Sequence, residues 1–95
     1  MLPENRIPTH PGEILLEEFL KPLGVTQVAF AKHVRVPLQR INEIIRGKRG
    51  VTSETAWLLS QALGTTPELW INLQRNYDLA RSRPQEAIPR LQEAI

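Results

Sequence analysis

Six cationic side chains, Lys32, Arg35, Arg40, Arg46, Lys48 and Arg49, fall within eighteen residues that contain a single acid, Glu43. That stretch carries +5 in a chain whose total is +2, which leaves −3 for the remainder. Interleaved with the cations are Gln39 and Asn42, whose amides donate and accept hydrogen bonds in a fixed plane. Clustered Lys and Arg suit phosphate oxygens, and planar amides suit the edges of bases. Catalytic chemistry has no comparable foundation. Glu17 and Glu18 are adjacent, so on a helix they point about 100° apart and form no acid/base pair. His10 and His33 have no cysteine and no third ligand at a productive spacing, so neither a metal site nor a cofactor is expected. The chain is read as a binding protein without catalytic residues.

Positioning such a surface requires a folded frame, and 95 residues are about one small domain's worth. With 41% hydrophobic and 23% charged residues the chain has material for a core and too little charge bias to be wholly disordered. The absence of cysteine excludes disulfides and fits a reducing cytoplasm. No apolar run approaches the eighteen or so residues of a membrane span, and the first thirteen residues lack the pattern of a signal peptide. The expectation is a cytoplasmic protein with no membrane partner.

The apolar periodicity predicts an all-α fold of five helices with a short helical tail. Residues 1–9, rich in proline, read as an arm. Residues 10–82 form the domain, and residues 83–95 a tail that serves as a dimer contact. Helix one runs from about Pro11 to Pro22, with Pro22 and Gly24 ending it. Thr26 caps a short second helix that reaches Val34 with Phe30, Ala31 and Val34 inward. Pro37, as the first helical residue, opens a third carrying Ile41, Ile44 and Ile45. Thr52 or Ser53 caps a fourth that ends at Gly64. Thr66, Pro67 and Glu68 give the clearest helix start in the chain, and that helix continues to about Ser82. Ala87, Ile88, Leu91, Ala94 and Ile95 keep helical spacing in the tail, which at eleven residues needs a partner surface.

Helices two and three, joined by about three residues with the small Ala31 at the junction and Val34 and Ile41 beside it, have the arrangement of a helix-turn-helix. The outer face of helix three, with Leu38, Gln39, Asn42, Glu43 and Arg46, is then free to enter a major groove. The chain resembles the HigA family of antitoxins, which are phage-repressor-like helix-turn-helix proteins. The resemblance rests on His10-Pro11-Gly12-Glu13, Thr26-Gln27 with Ala31, Gln39-Arg40-Ile41-Asn42, Arg46-Gly47-Lys48-Arg49, Thr66-Pro67-Glu68-Leu69-Trp70, Leu73-Gln74 and Tyr77-Asp78-Leu79-Ala80. It covers about residues 7 to 80. It implies a homodimer that binds operator DNA at its own promoter, represses its operon and neutralises a HigB-type, RelE-like mRNA-cleaving toxin. Two positions depart from the general repressor pattern: Arg35 stands where a turn glycine is usual, and Val36 where Ser or Thr usually caps the recognition helix. Either Arg35 holds a positive φ at a cost of roughly 1 kcal/mol or more or the turn is built differently, and the amides of Leu38 and Gln39 stay uncapped for phosphate or water.

The residues divide by role. Leu38, Gln39, Arg40, Asn42 and Glu43 are the candidate base-reading set, with Gln39 matched to an adenine edge and Leu38 to a thymine methyl or to packing at the helix start. Arg40 either swings inward to a guanine or pairs with Glu43 or Glu54. Gln27, Arg46, Lys48 and Arg49 are candidates for backbone phosphates, with a solvated charge run as the plainer reading of the last three. Leu73, Tyr77, Ile88, Leu91 and Ile95 are candidates for the dimer contact, whereas Trp70 and Tyr77 equally suit the core. The acids Glu4, Glu13, Glu17 and Glu18 are an electrostatic match for a basic toxin. Two other readings fit: a stand-alone repressor without a toxin, and a toxin-occluding module without DNA binding.

Overall fold

The computed structural model describes residues 8–94, and among these helix is the sole regular secondary structure. Helix α1 is one continuous rod made of an α turn (Pro11–Ile14), a π segment (Leu15–Leu20) and a closing turn (Lys21–Leu23). It is followed by α2 (Gln27–Val34), α3 (Leu38–Ile45), α4 (Ser53–Leu63), α5 (Pro67–Arg81) and a single short turn, α6 (Leu91–Ala94). None of these helices is long and apolar enough to cross a membrane.

The helix ends follow side-chain chemistry. Thr26, Thr52 and Thr66 each accept a hydrogen bond at their hydroxyl from the amide three residues on, at 3.0, 3.3 and 3.2 Å. These bonds satisfy amides that the helix leaves without partners. Gly24 and Gly64 close α1 and α4 in the left-handed region, with φ of 67° and 70°. Three expected boundaries move. Pro22 lies inside α1 rather than ending it. A proline ring collides with the carbonyl four residues earlier and offers no N–H. The wider π turns ahead of it, where the Lys21 amide bonds to Leu16 five residues back, relieve that conflict. Pro37 flanks α3 in an extended conformation (ψ 142°), so Leu38 is the first helical residue. In the tail, only Leu91–Ala94 is helical. Pro89 removes a donor and biases Ile88 away from the helical region.

The core is assembled from every helix of the domain: Leu15 and Leu20 of α1, Phe30, Ala31 and Val34 of α2, Ile41 and Ile44 of α3, Ala56 and Leu59 of α4, and Trp70 of α5. Trp70 is fully buried beside Phe19, at 5.6 Å between rings, and its indole N–H donates to the Thr65 hydroxyl at 2.8 Å. Each aliphatic side chain buried in this way is worth about 1.5–3 kcal/mol.

The start of α1 seats the recognition helix. A Cβ on Gly12 would overlap the carbonyl oxygen of Ile44, so the two backbones meet at a distance that only glycine permits. His10 caps α1 by accepting the Gly12 amide at Nδ1, at 2.9 Å. Its ring stands edge-on to Tyr77 of α5 at 4.7 Å and lies against Gly47, which follows α3 with φ 74°. The His-Pro-Gly sequence is therefore a cap, a first-turn proline and a contact surface in three successive residues.

Two expectations follow. Gly12→Ala forces α1 off α3 at a cost of about 1–3 kcal/mol or more, which in a domain of this size lowers the thermal midpoint by roughly 4–8 °C for each kcal/mol. Thermal denaturation by circular dichroism measures this, and an unchanged midpoint would refute the contact. Burial holds His10 below its ordinary pKa of 6.5, against an opposing pull from Asp78 and with a further push from Arg81. The unfolded chain thus takes up the proton first. Stability should be full above pH 6.5 and decline as the pH falls from there through the folded-state value. Denaturant titrations at stepped pH should show that slope, and His10→Asn, a cap without a titrating ring, should flatten it.

Candidate nucleic-acid interface

Helix α2 ends and turns on Arg35, whose φ of 61° and ψ of 42° place a non-glycine residue in the left-handed region. The Val36 amide then bonds back to the Ala31 carbonyl at 3.1 Å, which closes the turn. Ala31, Val34 and Ile41 are buried at the junction. This is the helix-turn-helix geometry anticipated from the spacing. The start of α3 has no side-chain cap, as expected from Val36 and Pro37.

On α3 the buried Ile41 and Ile44 fix which side points outward. Leu38, Gln39, Asn42, Glu43, Arg46 and Lys48 line one open groove on that side. Leu38 is 39% exposed, Gln39 and Arg46 are exposed, and Asn42 is half-buried. Gln27 is half-buried at the first position of α2, and His33 is exposed near its end.

Arg40 departs from the base-reading set. Its guanidinium turns to α4, donating to the Thr55 hydroxyl at 2.8 Å and lying 3.6 Å from the Glu54 carboxylate. This realises one of the two pairings open in the sequence. The reason is rotational: position 40 adjoins the buried Ile41 and Ile44 stripe and so faces the neighbouring helix, where the buried Thr55 offers an acceptor. Glu43 and Arg49, expected in different roles, are joined. One carboxylate oxygen accepts from Arg49 Nε at 3.0 Å and from its terminal nitrogen at 2.9 Å.

The dimer candidates also separate. Leu73 packs against the domain's own core, and Tyr77 against His10 and Arg81, whose guanidinium donates to the phenol oxygen at 2.9 Å. Ile88 and Leu91 stand exposed at 84% and 77%. Ile95 and Glu4 lie outside the described residues.

Gln74 was not anticipated as part of this site. Its side-chain oxygen accepts the Val51 amide at 2.8 Å and its nitrogen donates to Asp78 at 2.9 Å, which ties the loop after α3 to α5. Gly50 runs close beneath it, where a Cβ would come within 3.2 Å of the amide group. Nothing in local spacing marks Gln74, because its partner lies twenty-three residues away. Trp57, 57% exposed on α4, is a second surface feature absent from the expected set. Its position beside the buried Ala56 was the available signal.

A family described as helix-turn-helix matches residues 16–70. The chain is 48% identical over 77 residues to virulence-associated protein I of Dichelobacter nodosus, covering 80% of this chain and 71% of that one. It is 42% identical over 85 residues to antitoxin HigA-1 of Vibrio cholerae, covering 86% and 79%. Among solved structures, antitoxin GraA in complex with its operator superposes with a TM-score of 0.82 at 39% identity, covering 96% of this chain and 98% of that one. With the capped first helix, the left-handed turn and the outward α3 face all in place, the chain belongs to the HigA family of helix-turn-helix antitoxins.

Proposed function

We propose that this protein binds the operator of its own operon as a homodimer, represses that operon and neutralises a HigB-type mRNA-cleaving toxin encoded with it. The observation that carries the DNA reading is the α3 face: Leu38, Gln39 and Asn42 share a groove with Arg46 and Lys48 on a helix whose other side is locked into the core. Its likeness to an antitoxin solved on its operator supports the same reading. Gln39 and Asn42 read base edges, Leu38 touches a thymine methyl, and Gln27, Arg46 and Lys48 hold phosphates. A two-fold dimer places two such helices about 34 Å apart, one turn of DNA. The exposed Ile88 and Leu91 of the tail offer apolar surface to that second copy. For the toxin, the exposed acids Glu13, Glu17 and Glu18 on α1 offer the charge opposite to that of a basic partner, although Glu17 already pairs with Lys21 at 2.8 Å. A cytoplasmic location fits this reading.

The test is operator binding across a salt series, with DNA from upstream of this gene. If the dimer engages six to eight phosphates, log K falls against log salt with a slope of about −5 to −7, and a slope near zero overturns the assignment. Gln39→Ala should cost about 1–3 kcal/mol on the operator and far less on unrelated DNA. Deleting residues 84–95 should give a folded monomer by light scattering, whereas an unchanged dimer would assign the interface to another face.

A further inference from the structure

Glu43 is the one acid on the α3 face that otherwise offers Leu38, Gln39, Asn42, Arg46 and Lys48 to DNA. A carboxylate there repels phosphate unless something occupies it. It is occupied, and by a residue with a second use. Arg49 donates through two nitrogens to one Glu43 oxygen, at 3.0 and 2.9 Å. The Glu43 carbonyl also accepts the amides of Lys48 at 2.9 Å and Arg49 at 3.2 Å, so the backbone of this loop stays in place whether or not the side chains are paired. The Glu43 and Arg49 side chains are 31% and 52% exposed. An ion pair this open is worth only about 0.2–1 kcal/mol. It is strong enough to compete with a phosphate for the guanidinium and weak enough to yield when the carboxylate finds another donor.

From this we infer that Glu43 is a specificity gate, an inference that rests on the DNA-binding reading above. On unrelated DNA the carboxylate retains Arg49, and the guanidinium is withheld from the backbone. On the operator, a base that presents an amino donor to the carboxylate, as cytosine does in the major groove, takes the place of Arg49. The released guanidinium then moves to a phosphate. The internal pair is thereby exchanged for a phosphate contact that depends on base identity, although the arginine itself reads no base.

The test is Glu43→Gln in the full chain, with binding constants measured over a salt series on the operator and on an unrelated duplex of equal length. With Arg49 no longer held, affinity for unrelated DNA should rise about 1.4- to fivefold for each protomer. Its salt slope should steepen by about 0.9 for each protomer. Operator affinity should change less, so the ratio between the two falls. Adding Arg49→Ala to Glu43→Gln should abolish the gain on unrelated DNA. Unchanged or weakened binding to unrelated DNA by Glu43→Gln overturns the gate, and so does an equal loss on both duplexes accompanied by a lower thermal midpoint. Wild-type protein that binds neither duplex in a salt-dependent way overturns the DNA-binding reading itself.

Discussion

The close approach of Gly12 to the Ile44 carbonyl decides how far the recognition helix stands from the body of the domain. Backbone-to-backbone contact of this kind is stiff, because neither partner has rotamers with which to yield. The elements around it serve to hold it. His10 caps the helix that bears Gly12, its ring fills the space between Gly47 and Tyr77, and Trp70 anchors α5 beneath. A recognition helix that must meet base edges within a fraction of an ångström needs this kind of seat, since each base contact depends on hydrogen bonds of narrow geometry.

The outer face of α3 gains its chemistry from what the frame removes as much as from what it presents. Arg40 is drawn to Thr55 and Glu54, which braces α3 against α4 and takes one cation out of the groove. Arg49 is drawn to Glu43. Gln74 fixes the loop from the side of α5. The basic stretch of +5 is therefore distributed: part of it braces the domain, part is paired with Glu43, and Arg46 and Lys48 remain on the groove itself. Phosphate affinity depends on the number of cations that reach the backbone, so formal charge overstates the free electrostatic surface.

Local signals in the chain carried most of the architecture. Thr26, Thr52, Thr66 and the glycines at 24 and 64 marked helix ends because caps act over three or four residues. The apolar stripes of α2 and α3 named the buried faces because burial follows a period of 3.6. Failures arose where two local rules competed. Pro22 has the strength to stop a helix, yet a widened turn let α1 continue through it. In the tail the apolar spacing suggested a helix that Pro89 confines to its last few residues.

By itself, then, the sequence determined the all-helical class, the helix-turn-helix and the residues on the outer face of α3, each a matter of residues within a turn or two of one another. The tertiary structure alone decided that Gly12 is a contact rather than a flexible joint, that Arg40 faces α4, that Glu43 and Arg49 are partners, and that Gln74 belongs to the site. Most of these depend on the angle at which helices cross, and the Glu43–Arg49 pair on how the loop after Gly47 folds back on its own helix. Long polar side chains reach several acceptors equally well in the sequence; only the packed helices and closed loops select one.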